Sequence, residues 1–187
     1  MRIAVVGTSG SGKSTFARAL GAALGLPVVE LDAINWQAGW RDLNANDPEE
    51  FAARVAAAIA AEAWVTDGNY SKVLPAILRR ATDVVWLDLP KAVVMRRVIG
   101  RSVARAWTGE ELWPGTGNRE SWRRWLDKDH PIRWAWDTFE RRRARYEEAF
   151  AGARLAHLTV HRPRTPGEAA ALIEGLQRAA GGSQIPP

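Results

Sequence analysis

Apolar residues come in two rhythms along this chain, and the changes of rhythm set the expected order of elements. Ile3-Ala4-Val5-Val6 is a short unbroken apolar run, rich in β-branched residues and stopped by Gly7, which predicts a buried strand over 2–6. Past the glycines, Phe16, Leu20 and Leu24 recur at helical spacing up to Gly25, so a helix is expected there, closed by that glycine. Strand character returns at Val28–Leu31 ending at Asp32, at Trp64–Thr66 leading into Asp67-Gly68-Asn69, at Asp83–Leu89 stopped by Pro90, and at His157–Val160. Helical spacing fills the intervals. Phe51, Val55 and Ile59 mark a helix from Pro48 to about Ala63, and Val73, Ile77 and Leu78 a second before Thr82. Ala92–Arg105 is a third, Glu120–Phe150 is mostly helical around His130-Pro131, and Leu172, Ile173 and Leu176 turn the last helix inward. Two starts are written out as caps: Asp47-Pro48-Glu49-Glu50 supplies an N-cap, a proline and a first-turn carboxylate, and Thr165-Pro166-Gly167-Glu168 repeats that logic.

Five short strands alternating with helices predict an α/β fold, with a five-stranded parallel sheet covered by helices on both faces in three layers, α/β/α. Ligands of such sheets bind beyond the carboxyl ends of the strands. Gly7, Asp32, Asp67 and Pro90 all fall at those ends. Trp107–Asn118 reads as a loop with three glycines. The expected organisation is one domain over 1–180, with an acceptor region at about 32–63 and a helical, arginine-rich lid at about 101–130, followed by a disordered tail at 181–187.

Composition narrows the classes. With 187 residues and 47% hydrophobic content the chain can bury one sizeable core. It has no cysteine, which excludes disulfides and thiolate metal sites and agrees with a cytoplasmic location. No apolar stretch approaches the roughly 18 residues of a membrane span, so no membrane partner is expected. The net charge of +5 suits nucleic acid and small phosphorylated molecules equally. Nearly all of the positive charge is arginine, and the four lysines are Lys13, Lys72, Lys91 and Lys128. A lysine at a special place therefore carries more information than an arginine.

Lys13 stands at such a place. Gly7-Thr8-Ser9-Gly10-Ser11-Gly12-Lys13-Ser14 satisfies G-x-x-x-x-G-K-[ST] between a predicted strand and a predicted helix, the context in which that pattern denotes a phosphate-binding loop. Glycines let consecutive N–H groups turn inward, the helix N-terminus adds its positive end, and a lysine supplies a mobile point charge. Gly7, Ser9, Gly10, Ser11, Gly12, Lys13, Ser14 and Thr15 are thus the expected ATP-binding residues, with the Ser14 hydroxyl a magnesium ligand.

With this loop placed, the chain resembles the adenylate kinase-like P-loop kinases, the nucleoside-monophosphate, shikimate and gluconate kinases. Thr82–Pro90 followed by Arg97-Val98-Ile99-Gly100-Arg101 is similar to the adenylate kinase strand that leads into its lid. The resemblance implies that Arg97 packs on the adenine, that Arg101 reaches the phosphates, and that Arg105 and Arg119 close over the transferred group. Arg97, Arg101 and Arg105 also share one helix face by spacing, which a plain solvated basic stripe would do as well. Asp67-Gly68 resembles the Asp-Gly pair whose carboxylate orders water around the metal, and Asp32 the shikimate kinase aspartate that contacts the acceptor or the magnesium shell. Which of Asp32 and Asp67 acts as base stays open on these residues. Adenylate kinases continue Asp-Gly with Phe-Pro-Arg, whereas here Asn69-Tyr70 follows, so the arginine for an acceptor phosphate is missing from that place. Nor does an obvious arginine stand early in the helix after the P-loop's partner strand, where Arg41 or Arg54 would have to serve. "GTSGSGKST", "ELD" and "DGNY" together also resemble bacterial adenylate kinase-like proteins labelled DNA topology modulation proteins.

The resemblance implies an ATP- and Mg²⁺-dependent kinase with Lys13, Arg101, Arg105 and Asp67 in the transfer, Asp32, Trp36, Asp67 and Arg119 at a small-molecule acceptor, and Ser14 with Asp32 at the metal. A monomer or homodimer would suffice. Trp36 and Trp40 either wall the acceptor or pack the loop, and Trp107 and Trp113 would latch the lid. His130, His157 and His161 show no metal-ligand spacing. The competing reading is a nucleotide-dependent nucleic-acid-binding protein that meets phosphates with Arg133–Arg145. Arg141-Arg142-Arg143 otherwise reads as a solvated helix face.

Overall fold

The computed structural model describes residues 1–122, 125, 130–152 and 155–182. Its centre is β1 (Arg2–Val6), flanked by β5 (Trp64–Asp67) and β6 (Asp83–Trp86), with β2 (Val28–Glu30) and β7 (Thr159–His161) at the edges. The order is β2-β5-β1-β6-β7 and every neighbouring pair is parallel. The α/β fold with a five-stranded parallel sheet expected from the alternation is therefore present.

The two-residue period of the strands divides the core in two. Ala4, Val6, Trp64, Val84 and Trp86 point to one face and pack against α4 (Pro48–Ala58), α5 (Leu74–Arg80) and α7 (Pro131–Ala151), through Phe51, Val55, Ile77 and Tyr146. Ile3, Val5, Val65, Val85 and Leu87 point to the other and pack against Phe16, Ala17 and Leu20 of α1 (Lys13–Leu24) and the inward residues of α8 (Pro166–Gly182). Because both faces of β1 are covered, its run has no polar alternation.

The caps read from the sequence are formed. Asp47 accepts from the Glu50 N–H at 3.1 Å, and Thr165 and Glu168 exchange hydrogen bonds at the start of α8. Asp47→Ala is expected to cost about 1 kcal/mol, readable as a lower urea midpoint at unchanged m-value.

Four differences from the sequence reading bear on the site. The strand ending at Asp32 stops at Glu30, and Asp32 lies in the first turn of α2 (Leu31–Asn35). The stretch after it folds into a two-stranded hairpin, β3 (Trp36–Gln37) and β4 (Arg41–Asp42), followed by α3 (Leu43–Asn46). These elements are too short for a hydrophobic pattern to repeat along them and are held instead by Leu31, Leu43 and the buried Asn35, whose Oδ1 accepts from the Asn44 N–H at 2.8 Å. The expected helix over 92–105 runs as α6 (Lys91–Thr108), and the helix expected to Ala63 ends at Ala58. Of the expected helix from Glu120, residues 123–124 and 126–129 lie outside the described residues, as does 183–187 of the expected tail, while 181–182 close α8. No helix among the described residues is long and apolar enough to cross a membrane.

Candidate functional site

The loop leaving β1 is shaped by its contact with α6. Gly10 has φ +86°, and a Cβ there would sit 2.8 Å from the Val94 carbonyl oxygen and 2.9 Å from Val98 Cβ, so only glycine lets the loop pass this close to the helix. The loop turns on itself through the Ser11 N–H to Thr8 carbonyl bond of 3.0 Å, and Gly12, also at positive φ, precedes α1 with no side-chain cap. The first-turn amides of α1 are therefore left for an external acceptor, the condition for anion binding at a helix N-terminus.

Lys13 folds back over this loop and donates from Nζ to the Thr8 carbonyl at 3.2 Å. Burial brings its pKa down from 10.5 to about 8, against the pull of Asp32 and Asp67 and with the push of Arg101 and Arg142. Asp67, at the end of β5 and 3% exposed, is hydrogen-bonded by Ser14. Its pKa is raised, first by desolvation, although Ser14 and Lys13 oppose the rise. Asp67 Oδ1 is buried with no hydrogen-bond partner among the described residues, an acceptor with unused capacity beside a hydroxyl and an ammonium. That donor set fits a hydrated Mg²⁺ with triphosphate: Ser14 would ligate the ion and Asp67 would hold its water. Among the described residues no group of three His, Cys, Asp or Glu makes an all-protein metal site.

The arginine face of α6 reaches the loop at two points. Arg97 donates from Nη1 to the Ser11 carbonyl at 3.1 Å, and Arg101 approaches Ser9 Oγ at 3.5 Å. Burial, then the neighbouring Arg105, pushes the Arg101 pKa down, and its Nε has no partner among the described residues. Arg105 acts on this group as a neighbouring charge. Arg119 is placed differently: it donates to the Gly109 carbonyl and closes the base of the 109–119 loop, where Glu111 and Arg119 form an antiparallel bridge. Thr15 is exposed on the first turn of α1.

Asp32 accepts from the Tyr70 hydroxyl at 2.6 Å, so the two carboxylates have different partners, Tyr70 for Asp32 and Ser14 for Asp67. Arg41 is exposed, and Arg54 is paired with Glu50 and within 3.3 Å of Gln37 Oε1. Trp36 stacks on Trp113 at 6.3 Å with 20° between planes, and Trp40 meets both rings edge-on. The three tryptophans thus join the hairpin to the loop after α6, whereas Trp107, 83% exposed, stays outside the cluster. Asn118 completes the joint. Buried at 1% exposure, it accepts from the Trp40 N–H and donates to the Gln37 carbonyl, both at 2.9 Å. Asn118→Ala is expected to cost about 2 kcal/mol, two hydrogen bonds' worth. Amide exchange over 36–42 would rise more than tenfold while β1 stays protected.

Several residues were not legible in advance. Arg142 corrects the solvated-face reading of its run: it is half-buried, lies 5.4 Å from the Trp134 ring, hydrogen-bonds Tyr146 and acts on the charge of Lys13. Arg143 pairs with Asp88, which also holds Arg162. A shallow apolar groove lined by Met95, Ile99, Ile132 and Trp136 opens on a different face of α6 from Arg97 and Arg101.

No family model matches the chain, and no curated protein does. Solved structures match over nearly its whole length. A shikimate kinase from Acinetobacter baumannii, in complex with shikimate, aligns at TM-score 0.54 and 18% identity over 98% of this chain and 94% of that one. A shikimate kinase from Aquifex aeolicus aligns at 0.55 and 16%, covering 100% of both. A gluconokinase from Sinorhizobium meliloti aligns at 0.50 and 19%, over 97% and 96%. The chain has the shikimate kinase-like P-loop NTPase fold.

Proposed function

We propose that this protein is a magnesium-dependent kinase that transfers the γ-phosphoryl group of ATP to the hydroxyl of a small acceptor. The observation that carries the reading is the meeting, at the mouth of the glycine loop, of a desolvated Lys13 with a buried Asp67 that keeps an oxygen free. A lysine held at that cost gains most from the concentrated negative charge of a triphosphate. The fold likeness to shikimate kinases and a gluconokinase supports it.

In this reading the loop over Gly7–Thr15 holds the phosphates, Arg97 packs on the adenine, and Lys13, Arg101 and Arg105 meet charge developing on the transferred group. Magnesium, when bound, would supply charge neutralisation to the phosphates. Ser14 would ligate it, and Asp67, hydrogen-bonded by Ser14, would hold the metal's water. Asp32 orients the acceptor hydroxyl and receives its proton as the new O–P bond forms and the bond to the ADP oxygen breaks. Arg142 adds a cation that the run of arginines had hidden. A hydroxyl is favoured over a nucleoside monophosphate because Asn69-Tyr70-Ser71 follows Asp67-Gly68 with no phosphate-binding arginine, and Tyr70 is a neutral phenol committed to Asp32. Trp36, Trp40 and Trp113 wall the acceptor side, and the stretch 101–130 excludes water as a lid on a single domain over 1–180. A cytoplasmic location belongs to the same proposal.

The nucleic-acid reading is weaker, because the basic helix is largely engaged within the chain. Arg133 pairs with Asp137, Arg143 with Asp88, and Arg142 lies against Trp134. A transfer screen with ATP and Mg²⁺ against hydroxy acids, polyols, nucleosides and nucleoside monophosphates decides the matter. Transfer to a hydroxyl compound is expected. Hydrolysis alone, stimulated by duplex DNA, would overturn the proposal.

A further inference from the structure

We propose that Asn69 and Tyr70 are positioning residues that set the two halves of the site in register, Asn69 by fixing the phosphate loop and Tyr70 by fixing the acceptor-side carboxylate. The inference rests on the kinase reading above. Its starting point is topology. β5 lies between β2 and β1, with Asp67 paired to Glu30 on one side and to Val5 on the other. The residues just beyond Asp67 therefore emerge between the loop after β1 and the turn after β2, and each of the next three is tied to one of them.

Gly68 donates its N–H to the Val5 carbonyl at 3.3 Å, continuing the ladder one step past the strand. Asn69 donates from Nδ2 to the Gly7 carbonyl at 3.0 Å and is hydrogen-bonded to Tyr146 of α7. A loop that turns its amides inward must turn carbonyls elsewhere, and each needs a donor. The Gly7 carbonyl stands at the hinge between strand and loop, and Asn69 satisfies it. On the other side, the Tyr70 ring packs edge-on against Phe51 at 5.0 Å while its hydroxyl reaches Asp32 at 2.6 Å. Asp32 itself is exposed, and besides this bond it feels the charges of Lys13 and Arg101. A rigid phenol anchored in the core thus selects one carboxylate orientation, by a short charge-assisted bond. Burial, and then the charge of Asp32, keeps the phenol protonated by pushing its pKa up, so the donor persists across the working range. Neither residue supplies charge or touches the reacting atoms. Their effect comes through Gly7 and Asp32, as supporting residues act on a site.

The experiment uses the full chain and two readouts: calorimetric binding of Mg·ADP, and steady-state hydrolysis of Mg·ATP with water in the acceptor's place. In hydrolysis the water oxygen bonds to the γ-phosphorus, the bond to the ADP oxygen breaks, and the water's proton passes to Asp32 and on to solvent. Asn69→Ala is expected to weaken ADP about tenfold, and Tyr146→Phe about threefold in the same direction. Tyr70→Phe keeps the ring on Phe51. It is expected to leave ADP affinity within about twofold and to lower kcat about tenfold. Combined with Asp32→Ala it should add nothing to that single change, since the bond it removes is already broken.

A merely structural role predicts otherwise: ADP affinity, kcat and thermal midpoint would fall together in all three variants. That outcome, or an additive Asp32→Ala/Tyr70→Phe pair, overturns the proposal while the kinase reading stands. Absence of ADP binding by the wild-type chain overturns the kinase reading itself, and this inference with it.

Discussion

Lys13→Ala is expected to lower kcat/KM for phosphoryl transfer by about 100- to 1000-fold, the usual loss when one preorganised charge facing the transition state is removed. Its folded stability is expected to stay level or rise. Both follow from one fact: Lys13 is desolvated enough for its pKa to fall from 10.5 to about 8, with Arg101 and Arg142 pushing in the same direction. The fold carries the cost of that buried ammonium, and in the proposed function the phosphates would relieve it. Removing the charge spares the fold and disarms the site, the usual trade between stability and activity. Lys13→Arg should rescue little, because a planar fork cannot take the place of a point charge donating to the Thr8 carbonyl within so tight a loop. The measurements are initial rates with the acceptor found by the screen, and thermal midpoints with and without Mg·ADP. An alanine variant that turns over at the wild-type rate would remove Lys13 from the transfer.

The second large effect is expected at Gly10. An added methyl would meet the Val94 carbonyl oxygen at 2.8 Å and Val98 Cβ at 2.9 Å, backbone and core atoms of α6 that have no room to retreat, on a residue at φ +86°. Left-handed strain and overpacking together cost about 3 kcal/mol, which for a chain of this size lowers the midpoint by about 10 °C. Nucleotide affinity should fall in parallel, because relief of the clash moves the loop off α6 and carries Arg97 away from the Ser11 carbonyl. Gly100→Ala is the matched control. It lies in the same helix, its Cβ would meet nothing within 4 Å, and it is expected to raise stability by about 0.5–1 kcal/mol. Calorimetry and thermal melts of the two variants decide it. A Gly10→Ala protein as stable as wild type would mean that the loop does not rest on α6.

What could be read from the sequence was whatever local backbone chemistry dictates. The glycine loop is legible because its turn needs glycines at set intervals, and the starts of α4 and α8 because Asp47 and Thr165 cap their own following amides. The sheet was legible because β1 and β6 are covered on both faces and so read as unbroken apolar runs. The remainder depends on partners far along the chain. Asn118 is an ordinary loop asparagine until the fold carries it to Gln37 and Trp40, about 80 residues away. Arg142 looks like its neighbours in a run of three arginines, and only the side of α7 on which it falls separates it from the exposed Arg141. Asp32 and Asp67 were both visible as candidates, but what distinguishes them is their partners, Tyr70 and Ser14, pairings that no spacing encodes.

α6 is also a lever. Its early residues Val94 and Val98 bear on Gly10, and its far end feeds the loop that carries Trp113 and Asn118. The ten residues beyond Val98, as far as Thr108, make an arm of about 15 Å, so a tilt of about ten degrees at the fulcrum sweeps the tip through roughly 2.6 Å. On the proposed reading, a nucleotide held at Arg101, about 4.5 Å beyond that fulcrum, would have its shift enlarged about threefold at the tryptophan joint, turning an adjustment of under an ångström around the phosphates into a movement at the acceptor's doorway.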